Sequence, residues 1–98
     1  MQGNSYGQYT RVSGTAAGTT LIATRTGMLL RMVSNGNKTG TVTFYDTNAA
    51  AGSAASNFIA SLNNTSGTEP MATEIGTRFK TGLIAVVGGT TDVTVIWD

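Results

Sequence analysis

Residues 28–46 read MLLRMVSNGNKTGTVTFYD. In an extended chain Met28, Leu30 and Met32 fall on one face and Leu29, Arg31 and Val33 on the other. After the polar centre, Val42 and Phe44 share a face with Asp46, opposite Thr41, Thr43 and Tyr45. Between the two runs, NGNKTG (35–40) contains Asn-Gly, which accepts the positive φ that tight hairpin turns demand. The stretch predicts an antiparallel hairpin of 28–34 against 41–46, and with it an all-β chain.

Other segments repeat the signal on both sides. Residues 82–87, GLIAVV, form a continuous apolar run of the kind expected in a strand covered on both faces. Gly88 and Gly89 then turn the chain into 92–97, DVTVIW, with Val93, Val95 and Trp97 on one face. A Gly pair can also cradle phosphate where a helix begins, but no helical pattern follows, so a hairpin turn is expected. Residues 19–24 and 57–62 read as short strands, the latter grouping Phe58, Ala60 and Leu62. Residues 71–79 read as one or two strands with Gly76 as a bend. Residues 47–56 and 63–70 read as loops, with room for one helical turn within 49–62. Seven or eight short strands at regular spacing predict an antiparallel β-sandwich of jelly-roll or Greek-key type.

The first residues, MQGNSYGQYTRV, have no sustained periodicity. We expect an extended N-terminal arm over 1–12, with a short strand within 9–13, and a single sandwich domain over 13–98. An arm of this kind is expected to be either disordered or ordered by a neighbour. It lacks the apolar run of a signal peptide, and no segment reaches the ~18 apolar residues of a membrane helix. Synthesis in a cytoplasm and no membrane partner are the expectations.

Composition narrows the chemistry. The 98 residues include 18 Thr and 13 Gly, one Pro, and neither Cys nor His. Disulfides, thiolate nucleophiles, the usual zinc sites and the side chain best suited to proton transfer near neutrality are therefore missing. Charged residues are 11% of the chain, with a net charge of +1. The basic residues Arg11, Arg25, Arg31, Lys38, Arg78 and Lys80 are dispersed, which is no phosphate-binding stripe, so direct nucleic-acid binding is not expected.

Few residues qualify as catalytic or ligand-binding. Asp46 with Asn48, and Asp92 nearby, is a conceivable cation site. The run DTNAAAG stops supplying side-chain oxygens after Asn48, however, while Ca²⁺ needs six or more, so an Asx-type turn at a strand end is the expectation. Glu69 and Glu74 lack any surroundings that would separate their pKa values, and they read as solvated charges. The matches to Asn-x-Ser/Thr at Asn37, Asn63 and Asn64 matter only in a eukaryotic secreted protein. Arg31, in an otherwise apolar strand, must pair with a carboxylate, reach an edge or meet another chain. No catalytic residue, metal or cofactor is expected.

In order, VTFYDTNAAAGS (42–53), NFIASL (57–62) and FKTGLIAVVGGTTDVTVIWD (79–98) resemble small bacteriophage virion proteins. Those proteins carry a strand ending in V-T-x-Y-D-x, an Ala/Gly-rich loop and a closing F-x-T-G-L-x-V-x-x-x-G-x-x-D-V-T-V hairpin. The likeness spans about residues 25–97 and leaves the arm outside it. It implies a β-sandwich building block of the phage particle, a capsid cement or decoration protein without enzymatic activity. It further implies a homotrimer on the major capsid protein of the same phage, located in the virion. On this reading Tyr6, Tyr9, Arg11, Arg31, Arg78 and Lys80 are the expected interface residues. The alternative is a tail or fibre module that recognises a glycan through Tyr6, Tyr9 and Tyr45 with Asn57, Asn63 and Asn64.

Overall fold

The computed structural model describes residues 7–14, 17–36, 38–63 and 71–98. Eight strands run along them: β1 (Gln8–Gly14), β2 (Gly18–Ala23), β3 (Gly27–Ser34), β4 (Thr41–Tyr45), β5 (Phe58–Asn63), β6 (Met71–Phe79), β7 (Leu83–Gly88) and β8 (Thr91–Trp97). The expected helical turn is a 3-10 turn at Ala55–Asn57. The strands build two antiparallel sheets, ordered β1-β8-β3-β6 and β2-β7-β4-β5. Thr, Val and Ile dominate them because branched side chains suit a pleated, half-buried surface.

The sheets face each other as a β-sandwich. One cluster fills the gap, with Val12, Leu29, Met32, Phe79, Val93 and Val95 from the first sheet and Ala23, Val42, Phe44, Leu83, Ala85 and Val87 from the second. Alternation puts every second residue of a strand into that layer.

Both expected hairpins are corrected. β3 pairs with β6 and β8, and β4 pairs with β5 and β7. β3 and β4 therefore lie in different sheets instead of pairing as neighbours. Gly88 and Gly89 likewise lead from β7 into β8, which lies in the opposite sheet. Asn-Gly and Gly-Gly reverse a chain, but a reversal does not decide whether the flanking strands share a ladder. Only β4 and β5 are consecutive strands in one sheet.

Two irregularities move side chains to the face opposite the expected one. In β3 the register shifts between Leu29 and Arg31, where Leu30 is an extra residue against the consecutive Trp97 and Ile96 of β8. Leu29 and Met32 consequently both enter the core, which strict alternation had put on opposite faces. Gly76, at φ 66°, lies across from this irregularity in β6, and residues 71–79 form one strand. In β5 the shift leaves Ile59 unpaired between Phe58 and Ala60, so Phe58 turns away from the core and is 52% exposed.

The domain boundary also moves. β1 pairs with β8 along its whole length, from Gln8 opposite Trp97 to Gly14 opposite Thr91. Residues 8–12 are thus part of the chain's own sheet and not an arm offered to a neighbour, and Val12 is a core residue. The strand expected within 9–13 is present; residues 1–6 of the expected arm, Tyr6 included, lie outside the described residues.

Candidate functional site

The two outward-facing sheet surfaces differ in chemistry. Across the first sheet, Tyr9, Ile96, Arg31 and Glu74 stand in register, and Arg11, Thr94, Val33 and Ala72 form the next row. Four of its charges form two pairs, Arg11 with Asp92 and Arg31 with Glu74. The Arg11 guanidinium makes a two-pronged bond to Asp92, Nε to Oδ1 at 3.0 Å and Nη2 to Oδ2 at 2.7 Å, the geometry in which Arg holds a carboxylate best. The Asn35 amide donates to Asp92 Oδ1 at 3.2 Å and to the Thr94 hydroxyl at 3.1 Å. The Arg11 hydrogen bond, with help from Asn35 and the charges of Arg11 and Lys38, holds the Asp92 carboxyl below the usual range against the opposing effect of burial. Arg31 Nε donates to Glu74 Oε2 at 2.8 Å, which supplies the carboxylate its apolar strand required.

The second sheet carries no charge in any of its four strands. Leu21, Ile84, Tyr45 and Phe58 stand in register across all four. Tyr45 and Phe58 meet edge to face with centroids 6.0 Å apart. Leu21 is 44% exposed, while Ile84 is fully buried although it lies outside the cluster between the sheets. The next row is Thr19, Val86, Thr43 and Ser61, whose last two hydroxyls are 3.0 Å apart.

Tyr9, Arg11 and Arg31 therefore share one surface, and Tyr9 is 78% exposed there. Arg78 stands near the end of β6 opposite Met28, and Lys80 follows that strand in the turn to β7. Trp97 is engaged on two sides, by the Arg25 guanidinium 5.0 Å from its ring centre and through an indole N–H bond to the Thr10 hydroxyl at 3.3 Å. Leu21 and Phe58 were not among the expected interface residues. The lack of charge in their strands is legible in the sequence, but the sharing of one sheet by those strands is not.

Asp46 is a structural anchor. Its carboxylate accepts the backbone N–H groups of Lys80 at 2.8 Å, Thr81 at 2.9 Å and Gly82 at 3.3 Å. The expected Asx-type turn is replaced by this long-range contact, and the local turn is made by Thr47, whose hydroxyl accepts the Ala49 N–H at 3.3 Å. Burial pushes the Asp46 carboxyl up, but the three amides and the nearby Lys80 charge outweigh it and hold the group below the usual range. Asp92 sits in the other sheet with its own partners, so the two carboxylates form no joint cation site. Among the described residues no three acidic, His or Cys side chains gather where a metal ion could be held, and no pocket opens. Glu69, Asn37 and Asn64 lie outside the described residues.

A carboxylate with a depressed folded pKa stabilises above its unfolded pKa, about 3.9 for Asp, and that contribution is lost as pH falls through the folded value. Asp46→Ala is therefore expected to lower stability by about 2 kcal/mol at pH 7, from the loss of charge-assisted bonds to three amides. Urea denaturation at pH 7 and at pH 3 checks this: the gap to the wild type should narrow at the acid end. An equal gap at both pH values would count against the carboxylate as its source.

Comparison with protein families, curated proteins and solved structures gave no match for this chain.

Proposed function

We propose that this chain is a structural protein of a bacteriophage particle, a non-enzymatic capsid cement or decoration protein that seats on the shell of major capsid protein and bridges neighbouring capsomers. The observation that carries the reading is the contrast between the two outer sheet surfaces, one laced with paired charges and one uncharged. A slab of 35 × 31 × 17 Å with two such faces is shaped to be held between other surfaces and needs no cleft. Supporting it, the strand orders 1-8-3-6 and 2-7-4-5 describe the eight-stranded jelly roll. Viral shell proteins share that winding with lectins and cupins, so the reading rests on the faces and the virion-like motifs rather than on the winding.

Mixing the purified protein with empty shells of the phage that encodes it, followed by gradient sedimentation, tests the proposal. Saturable co-sedimentation with the shells is expected, as is survival of decorated shells to higher temperature. Protein that remains at the top of the gradient at every input would overturn the cement role.

A further inference from the structure

We propose that the uncharged outer surface of the β2-β7-β4-β5 sheet is a contact between two copies of this chain, related by a two-fold axis running parallel to its strands between β7 and β4. The inference does not rest on the virion reading, and it departs from the homotrimer that the resemblance implies.

Sheet faces and edges left to water ordinarily carry polar and charged side chains, and Lys or other charges on edge strands keep copies apart. The first sheet follows that habit, with Arg11 on edge strand β1 and Glu74 and Arg78 on edge strand β6. The second sheet departs from it, since its edges β2 and β5 are uncharged and display Leu21 and Phe58. Such a face offers an acidic or basic partner nothing to pair with, and it presents a second copy of itself with no repulsion.

The register gives the contact its symmetry. Leu21, Ile84, Tyr45 and Phe58 span the sheet from edge to edge. Rotation about an axis parallel to the strands through the middle of the sheet lays exposed Leu21 of one copy over exposed Phe58 of the other; Ile84, already fully buried by its own chain, takes no part in the contact. The same rotation lays Thr19 over Ser61 and Val86 over Thr43. This is an isologous contact, in which each residue meets its counterpart's partner twice. Four strands about 4.8 Å apart and about six residues long make a face of roughly 400 Å². That is about half the ~800 Å² per partner of a standard interface, so the pairing is concentration-dependent and not permanent.

Sedimentation of the wild-type chain from about 10 µM to about 1 mM, a span that brackets weak dimers, should show the mass rising toward twice that of one chain. Ser61→Lys, at an exposed edge position, should weaken association about tenfold because the ammonium is buried against uncharged Thr19 of the other copy. Adding Thr19→Asp should restore it, since the two charges meet only across the proposed axis and sit on opposite edges within one chain. Phe58→Ser should weaken association as well, and Tyr9→Ser, on the other sheet, should not; circular dichroism confirms that each variant is folded. A chain that stays single to about 1 mM, well above the micromolar scale, or assembles in threes overturns the proposal. So does association that survives Ser61→Lys, or a double variant that is not restored.

Discussion

Phe44→Ala is expected to lower the stability of this chain by about 4 kcal/mol, the usual loss when a buried Phe is truncated and its cavity stays open. Phe44 is fully buried, and β4 lies between β7 and β5, so both flanks of the residue are fixed by ladders. Across the gap the core is built by Leu29, Met32, Val93, Val95 and Phe79 of the facing sheet. Strands tied on both sides collapse poorly into a void, which puts this site at the costly end of the range. A chain of this length holds roughly 5–15 kcal/mol in all, so the variant loses a large share, and its melting temperature should drop by roughly 20 °C. Urea denaturation followed through the fluorescence of Trp97 gives the measurement: the midpoint should fall with little change in slope. Phe58→Ala, half exposed on the outer surface, supplies the comparison and should cost less than about 1 kcal/mol. Equal losses at the two positions would contradict the assignment of Phe44 to the core and Phe58 to the surface.

Those two Phe residues also mark what the sequence could and could not tell. Alternation identifies strands because a pleated backbone sends neighbours to opposite sides, and the eight segments stand close to where their patterns place them. It says nothing of an extra residue such as Ile59, which turned Phe58 outward. Arg31 is the same kind of case. Its need for a carboxylate follows from an apolar strand, but Glu74 is its partner through a ladder between strands 43 positions apart in the chain. The charges that pair with it, and the amides that hold Asp46, arrive through tertiary structure. The two misread hairpins have one cause: local turn chemistry acts over a few residues, whereas the choice of ladder is made by burial of whole strands.

The crossing of nearly every connection sorts the chain's chemistry between the faces. Along the sequence, charged strands β1, β3, β6 and β8 alternate with uncharged β2, β4, β5 and β7. Hairpin-by-hairpin winding would have mixed these in both sheets. Because the winding sends consecutive strands to opposite sheets at every step except β4 to β5, the charged strands gather in one sheet and the uncharged strands in the other. The contrast between the outer surfaces is thus a joint product of sequence pattern and topology, and any assembly that uses it depends on the crossings staying in place.

Gly40→Ala tests one of those crossings directly and is expected to cost about 3 kcal/mol, at the upper end for forced overpacking. At Gly40 the β3-to-β4 crossing lies against the β7-to-β8 crossing, and the Gly40 N–H donates to the Thr90 carbonyl at 2.7 Å. A Cβ there would run into the Thr90 carbonyl and the Thr91 hydroxyl, and would sit 2.7 Å from the Gly88 carbonyl. Two of these obstacles are backbone atoms, and Thr91 is nearly fully buried, so no flexible side-chain end can move aside. Relief requires the two crossings to separate, which breaks the Gly40 to Thr90 bond and disturbs the starts of β4 and β8 together. Gly14→Ala, where an added Cβ meets nothing within 4 Å, is the control and should change stability by less than about 0.5 kcal/mol. Hydrogen exchange separates a local from a shared effect: in Gly40→Ala, amide protection should fall in β4 of one sheet and β8 of the other at once. Loss confined to β4 would mean that the two crossings do not support each other, and the sorting of charged from uncharged strands would then rest on the ladders alone.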